Sequence, residues 1–302
     1  MPEMDIFISL PAQELALYDD TGLLLRRYSV STAKKGAGEE TGSFQTPRGR
    51  HLIRAKIGAG CPENSVFVGR RPTGEIWTPQ LADQYPGRDW ILTRILWLSG
   101  CDAGFNRLGC VDTMRRYVYL HGCPDTATMG VPGSIGCVRM RNFDIVELFD
   151  LIPPYSQVNI GDFRVTDGHW STLANDARVV RQAVFIAEQG ISEHLEWDEL
   201  DNCSRHVLAL DAEGRAIGTG RLLDDGRIGR LAVESAWRGK GVGTMLFRRL
   251  IELARQAGMD HALLHARAEA VSFYERFGFL ADGSPFLEVG APHVMMRRKL
   301  PA

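Results

Sequence analysis

The chain has 302 residues, 44% of them hydrophobic and 24% charged, and a formal net charge of −2 at pH 7. That length allows two ordinary domains, each with its own core. The near-neutral charge gives no case for a general nucleic-acid binder or a polybasic membrane anchor, so particular basic residues must hold any anion.

The opening stretch, "MPEMDIFISLPAQELALYDD", lacks a basic region leading into an apolar run and a small-residue cleavage site. No later apolar run reaches membrane-spanning length. The six cysteines, at 61, 101, 110, 123, 137 and 203, include no C-x-x-C pair. They read as free thiols of a reducing compartment, so a cytoplasmic protein is expected.

Next in order, "DIFISL" and "ELALYD" predict short strands, "DDTG" a turn before "LLLRRYSVST", and "TPRG" at 46–49 a turn before "RHLIRAKI". "RRYVYLHG" predicts a strand closing on a His-Gly pair, and "RNFDIVELFDLI" a short helix. Residues 173–189 set Leu173, Ala177, Val180 and Val184 on one helical face, with Ser171 or Thr172 as cap and Gly190 as stop. Strands "HVLALDAEG", "AIGTGRLLDDG" and "RIGRLAV" follow. Helix 242–257 should bury Val242, Met245, Leu246, Leu250, Leu253 and Ala257 and expose Arg248, Arg249, Glu252 and Arg255. Strand "HALLHA", helix "AVSFYERFG" and strand "HVMMRRKL" complete the chain. The grammar changes near residue 161, giving a mainly-β domain over 1–161 and an α/β (α+β) domain over 162–302.

"GSIGCVRMRN", residues 133–142, places Cys137 in a glycine-flanked turn. A nucleophilic cysteine needs a base, donors for an oxyanion and room for substrate. His121 at its strand end is the candidate base, and the Gly122 carbonyl is the nearest partner for its other nitrogen. Gly136 permits close approach, the amides around Gly136 and Cys137 are oxyanion donors, and Arg139 offers a fork for a carboxylate. Two plainer readings stand beside this one. Cys137 is an inert turn residue on a degenerate scaffold, or zinc sits among His121, Cys123, Cys137 and Cys110, whose spacing matches no familiar ligand set. No metal is expected, and His265 reads as structural.

The set "YVYLHG…GSIGCVRM", with "TPRG" upstream, resembles the L,D-transpeptidase catalytic domain of the YkuD/ErfK type over roughly residues 3–161. The resemblance implies a β-sandwich-like fold, Cys137 as acyl-forming nucleophile and His121 as general base oriented by the Gly122 carbonyl. Ser134, Gly136 and Arg139 would line the substrate site. The implied chemistry attacks a carbonyl at a diaminopimelate residue of a muropeptide-like peptide, and an amine or water takes the acyl group. Ile135 stands where many members of that family carry histidine.

"RLAVESAWRGKGVGTMLFRRL" runs strand, loop, helix, with glycines at the helix entrance where free N–H groups and the positive helix end suit a pyrophosphate. It matches neither G-x-x-x-x-G-K-[ST] nor G-x-G-x-x-G, which disfavours a nucleoside triphosphatase or dinucleotide enzyme. Arg238-x-x-Gly241-x-Gly243 after "LAV", with "FYERFGF" later, resembles the GNAT superfamily of N-acetyltransferases over about residues 162–302. The resemblance implies the GNAT acyl-CoA N-acyltransferase fold with acetyl-CoA as cofactor. Amides of Arg238, Gly239, Lys240, Gly241, Val242, Gly243 and Thr244 would cradle the pyrophosphate, and the edge of Leu231, Ala232 and Val233 would pair with the pantetheine arm. Tyr274 would protonate the departing thiolate.

"AVFIAEQGISEHLEWDELD" resembles the acceptor side of one bacterial branch; its Glu188, Glu193, Glu196 and Asp198 either attract an amine or form a solvated face. The expected whole is a bifunctional cytoplasmic enzyme using a muropeptide-like peptide and a small-molecule or peptide amine, without nucleic-acid or membrane partners. Its rival is a regulatory acetyl-CoA-binding protein on a degenerate transpeptidase-like scaffold. The sequence assigns neither the acceptor, the acetyltransferase's general base, nor the oligomeric state.

Overall fold

The computed structural model describes residues 4–300. They form two units, one built from residues up to 19 and from 25–162, the other from 20–24 and from 163 onward. No described helix is long and apolar enough to cross a membrane.

The first unit contains β1 (Asp5–Ser9), β2 (Glu14–Tyr18), β3 (Leu24–Ser29), β4 (Gly49–Ile57), β5 (Ser65–Val68) and β6 (Arg71–Ile76). Helix α1 (Pro79–Gln84), β7 (Ile91–Gly100), β8 (Tyr119–Gly122), β9 (Val138–Met140), α2 (Asn142–Leu151) and β10 (Gln157–Gly161) follow. Its ten-stranded mixed sheet runs β3-β2-β1-β10-β4-β7-β5-β6 and branches at β7, which also pairs with β8; β9 then joins β8 in parallel. β1 is buried on both faces at Ile6, Phe7 and Ile8 because β2 and β10 flank it and the core closes over it. Apolar strand residues pack with Ile145, Leu148 and Phe149 of α2 in one core, which fixes the floor beneath β8 and β9.

The second unit contains β11 (Phe163–His169), α3 (Trp170–Arg181), a π-helical turn (Gln182–Glu188), α4 (Glu193–Glu196), β12 (Arg205–Asp211), β13 (Ala216–Leu222) and β14 (Arg227–Val233). Helix α5 (Val242–Gln256), β15 (His261–Arg267), α6 (Val271–Glu275), β16 (Leu280–Ala281), β17 (Phe286–Glu288) and β18 (Ala291–Lys299) complete it. The sheet order is β11-β12-β13-β14-β15-β18-β16, with β17 beside β18.

Three local expectations are corrected, the first being Ala257, which is exposed and lies just past the end of α5 rather than in its buried stripe. Neither Ser171 nor Thr172 caps α3. Pairing of β11 continues through His169↔Arg205, so strand passes to helix within one residue, and the Thr172 hydroxyl donates back to the His169 carbonyl at 2.9 Å. Arg248 lies in the buried face of α5 at 7% exposure rather than in water. The stripe widens because Phe247 also enters an aromatic cluster with Phe273, Tyr274, Phe277 and Phe279.

One irregularity shapes the second site. β14 and β15 are parallel neighbours only at Arg227↔Leu263 and Ile228↔Leu264. Beyond that pair β14 bulges, with Arg230 at φ +53° opposite the shift between Thr219 and Arg221, and the two strands part. A bulge bends its strand and ends local pairing, so the later half of β14 has an unpaired edge.

Candidate active sites

The cysteine site sits on the short parallel pair β8–β9. His121 pairs with Arg139 in register, and Leu120 with Val138. Alternation therefore sets Tyr119 and His121 on the same face as Cys137 and Arg139. His121 is fully buried. Its Nδ1 lies 2.7 Å from the Gly122 carbonyl, which fixes the proton on Nδ1, and its Nε2 is buried with no hydrogen-bond partner among the described residues. A lone pair buried without a donor costs stability unless something uses it. With the proton on Nδ1, Nε2 carries an unshared lone pair.

Gly122 must lack a side chain, since a Cβ there would stand 2.3 Å from Asn142 Oδ1 and 2.9 Å from the Leu92 carbonyl. Asn142 Oδ1 accepts from the Thr93 hydroxyl at 2.6 Å, and its amide donates to Asn64 Oδ1 at 2.8 Å and the Cys123 carbonyl at 3.1 Å. Thr93, β-branched and buried, is held at φ +68°, a strained conformation locked by this network.

Cys137 is half-buried. Its sulfur accepts from the Tyr119 amide at 3.4 Å, and its S–H donates to the Tyr117 carbonyl at 3.6 Å. Burial pushes the thiol up to about 12, although the Tyr119 amide and the cations Arg139 and Arg116 favour thiolate. Burial likewise holds His121 below the usual imidazole range. The resting pair is therefore neutral thiol and neutral imidazole at pH 7.

The loop before Cys137 is fastened by residues with no free capacity. Ser134 is buried; its hydroxyl accepts from the Gly136 amide at 3.2 Å and donates to the Cys137 carbonyl at 2.5 Å. The Gly136 amide is thus engaged inside the loop instead of facing an oxyanion. Gly136 holds φ +136°, and its carbonyl accepts from Thr46 Oγ1 at 3.0 Å. Arg139 donates to Asp89 at 2.6 Å and to the Gly133 carbonyl at 3.1 Å, so its fork already has a carboxylate. Sequence reasoning missed Thr46, seen only as part of "TPRG", and Arg116, which ties the carbonyls of Gly38, Glu39 and Gln45 beside the thiol. It also missed Asp89. Among the described residues no group of three or more His, Cys, Asp or Glu side chains is arranged to hold a metal, and the Cys123 thiol donates to the Met140 carbonyl.

In the second unit, Leu231, Ala232 and Val233 form the part of β14 that has left β15. The chain then turns through Arg238 and Lys240 to Gly241, the N-cap of α5 at φ +87°, with Gly239 at φ +74°. Only glycine takes those angles cheaply. Val242, Gly243 and Thr244 open the helix, whose first amides lack intrahelical acceptors. A Cβ on Gly243 would meet nothing nearer than Val233 Cγ2 at 3.7 Å. An unpaired strand edge leading to a cluster of free amides fits an extended amide-bearing arm ending in a pyrophosphate. Arg238 is engaged by Glu188 of the π-helical turn through two hydrogen bonds, 2.8 and 2.7 Å, and donates to the Val233 carbonyl at 2.9 Å. Tyr274 lies half-buried against Phe247, ring centroids 5.0 Å apart; burial pushes its phenol up to about 12, which keeps it a proton donor.

Of the four acidic residues, Glu196 is not on a solvated face. It is buried and bonded to Arg181 Nε at 2.5 Å, with Arg230 at 3.3 Å. Asp198 pairs with Arg221 and Arg230, and Asp201 with Arg181 and Arg221. This buried network ties the segment after α3 to the β14 bulge. Glu193 is nearer the expected surface role, accepting from Trp197 Nε1 at 3.4 Å. His265 Nδ1 lies 3.0 Å from Glu288, partly exposed.

Comparison with known proteins finds two family models that match the chain. The L,D-transpeptidase catalytic domain model (YkuD) matches residues 3–160, and the acetyltransferase (GNAT) domain model matches 174–300. The uncharacterized N-acetyltransferase YjcF of Bacillus subtilis is 35% identical over 127 residues, 41% of this chain and 90% of that protein. An acyl-CoA N-acyltransferase from Pseudomonas aeruginosa is 32% identical, covering 45% of this chain and 99% of its own, with a TM-score of 0.42. An L,D-transpeptidase from Mycobacterium smegmatis is 18% identical, covering 53% and 59%, with a TM-score of 0.35. The GNAT domain carries with it the use of an acyl-CoA and an acceptor amine. The chain belongs to both families, an L,D-transpeptidase catalytic domain of the YkuD type joined to a GNAT acetyltransferase domain.

Proposed function

We propose that the chain is a bifunctional cytoplasmic enzyme that acylates Cys137 with a diaminopimelate-type peptide and transfers acetyl from acetyl-CoA to an amine. The observation that carries the first activity is the buried, unpartnered Nε2 of His121 on the face that bears Cys137. As the sulfur attacks a peptide carbonyl, the S–H proton passes to Nε2, the S–C bond forms and the C–N bond breaks. The leaving amine takes the proton from the imidazolium. An amine or water then attacks the thioester, its proton passing to Nε2 as the new C–N or C–O bond forms, and the S–C bond breaks as His121 returns a proton to sulfur. The Gly122 carbonyl holds the ring and stabilises its transient charge.

The parted β14 edge and the α5 entrance support acetyl-CoA as the cofactor of the second activity, which supplies an activated acetyl thioester when bound. The chain's own part is to hold the pyrophosphate on the α5 amides, align the arm along Leu231–Val233, and offer the Tyr274 proton to the leaving sulfur. A cytoplasmic setting suits an intracellular cofactor. The thiol's resting bonds to Tyr117 and Tyr119 favour a second reading, a peptide-binding scaffold coupled to acetyl-CoA sensing. Mass spectrometry separates the two. Incubation with a diaminopimelate-containing tetrapeptide should add an acyl mass to the Cys137 peptide in the wild type and not in His121→Ala. Acetyl-CoA binding by calorimetry without acetylation of any amine supplied would support the sensor.

A further inference from the structure

Two arginines, Arg139 and Arg116, act on the Cys137 thiol, a third reaches the tyrosines that flank it, and the first two are already spent. Arg139 is paired with Asp89, and Arg116 is committed to backbone carbonyls and Ser43. The third, Arg70, differs. Its guanidinium lies 4.5 Å from the Trp97 ring centroid and 4.7 Å from that of Tyr117, and it donates to the Tyr119 hydroxyl at 3.2 Å. No Asp or Glu forms an ion pair with it among the described residues; its electrostatic neighbours are the two tyrosines.

Those same tyrosines bound the nucleophile. The Tyr119 amide and the Tyr117 carbonyl are the two partners of the Cys137 sulfur, and Tyr119 and Trp97 share its apolar cluster. Tyr117 is 54% exposed, so the stack opens to solvent. Arg70 thus stands one tyrosine side chain from the attacking atom, positioned by aromatic faces that leave donors of its planar fork unused.

Its place in the backbone is also unusual. Val68 pairs with Arg71, so Gly69 and Arg70 alone connect β5 to β6, at φ +56° and φ +66°. Both signs mark a type I′ hairpin, whose second position favours glycine. An arginine there is locally disfavoured and is held by what its side chain does.

We propose that Arg70 is a substrate-recognition residue of the cysteine site, binding the carboxylate of a peptide that ends one or two residues from the carbonyl attacked by Cys137. An extended peptide covers roughly 3.3–3.6 Å per residue, which matches a cation one tyrosine away. Arg70 therefore takes the role that the sequence suggested for Arg139. This deepens the transpeptidase-like reading and rests on it for the identity of the nucleophile.

The test compares two alkylating agents that differ only in charge. Iodoacetate and iodoacetamide both form an S–C bond at the thiol with loss of iodide, and only iodoacetate carries a carboxylate. Rates at the Cys137 peptide are followed by mass spectrometry on the full chain. Arg70→Gly is the informative variant, because glycine suits the turn and the fold keeps its hairpin. We expect the iodoacetate-to-iodoacetamide ratio to drop about threefold to tenfold, the effect of one nearby charge at a protein surface. Iodoacetamide alone should stay within about twofold, and Arg70→Lys should keep most of the ratio. An unchanged ratio in Arg70→Gly, or equal slowing of both reagents, overturns the proposal. So does a collapse of the ratio in Arg139→Gln and not in Arg70→Gly. The His121→Ala arm reports separately on the nucleophile. An iodoacetamide rate indifferent to His121 counts against the dyad, while the ratio still decides the role of Arg70.

Discussion

At the scale of single residues, the chemistry of the cysteine site rests on a proton that has not yet moved. A thiol pushed up to about 12 holds almost no thiolate at pH 7, so the proposed reaction has to pass the proton to His121 as the sulfur attacks. The imidazole must be neutral to accept it, and burial keeps it neutral down to below its usual range. Alkylation of wild-type Cys137 should therefore rise with pH only below about 6.5 and then hold a plateau to beyond pH 8. In His121→Ala the plateau should vanish, leaving a slower rate that climbs tenfold per pH unit. Superimposable profiles would remove the general base. Gly122 tests the same geometry from the backbone side. Gly122→Ala forces a methyl against Asn142 and the Leu92 carbonyl, which should cost about 1–3 kcal/mol in urea unfolding and abolish the plateau.

At the scale of elements, the parting of β14 from β15 and the entrance of α5 form one device. The bulge at Arg230 ends the pairing, and the buried Arg–carboxylate network behind it holds the bulge in place. Gly243 is the cleanest probe, because the nearest atom to a Cβ there is 3.7 Å away and the helix has room for it. Gly243→Val should leave thermal stability nearly unchanged yet weaken acetyl-CoA binding tenfold or more, about 1.4 kcal/mol, in calorimetric titration. Arg238 is the opposite case. To meet a pyrophosphate it must leave Glu188, whose carboxyl it holds below the usual range. Glu188→Gln should consequently tighten acetyl-CoA binding by about twofold to fivefold, whereas Arg238→Ala should weaken it less than Gly243→Val does. Weaker binding in Glu188→Gln would mean that the pair builds the site instead of competing with the ligand.

At the scale of the whole molecule, two units mean two responses. Acetyl-CoA should slow hydrogen exchange in β14 and the first turn of α5, and Gly243→Val should leave the alkylation rate of Cys137 as it is. Acid should act first on the β-rich unit. His51 is buried between the Gly49 carbonyl and the Thr113 hydroxyl, and burial lowers it to about 4. Its folded value lies below the unfolded value near 6.5, so the unfolded chain binds the extra proton across that window. Stability is present above about 6.5 and is lost as the pH falls toward 4, by about 3 kcal/mol from His51 alone. His121 shifts in the same direction. Exchange at the amides of β4 and β7, measured from pH 7 to pH 4.5, should show the decline. In His51→Asn it should be shallower.

Local chemistry made much of this protein legible in advance. "YLHG" and "GSIGCVRM" carry a strand end and a strained glycine turn in their own residues, and "RGKGVG" carries left-handed glycines and a helix start, so the local geometry of both candidate sites could be read from the chain. The helix over 142–151 and the inward stripe of α5 follow from periodicity for the same reason. What only the tertiary structure decided is which polar groups are already satisfied. Arg139 and Arg238 read as free cations until Asp89 and Glu188 arrive from 50 residues away in each case. Ser134 reads as substrate-facing until the loop folds its hydroxyl onto Gly136 and Cys137. Glu196 reads as surface charge until α3 and β14 bring arginines to it. Arg70 carries no signal in sequence, because its meaning lies in two aromatic rings and an absent carboxylate. Periodicity and turn chemistry act within a few residues and survive in the sequence; charge compensation and burial are set by distant segments, and only the folded chain assigns them.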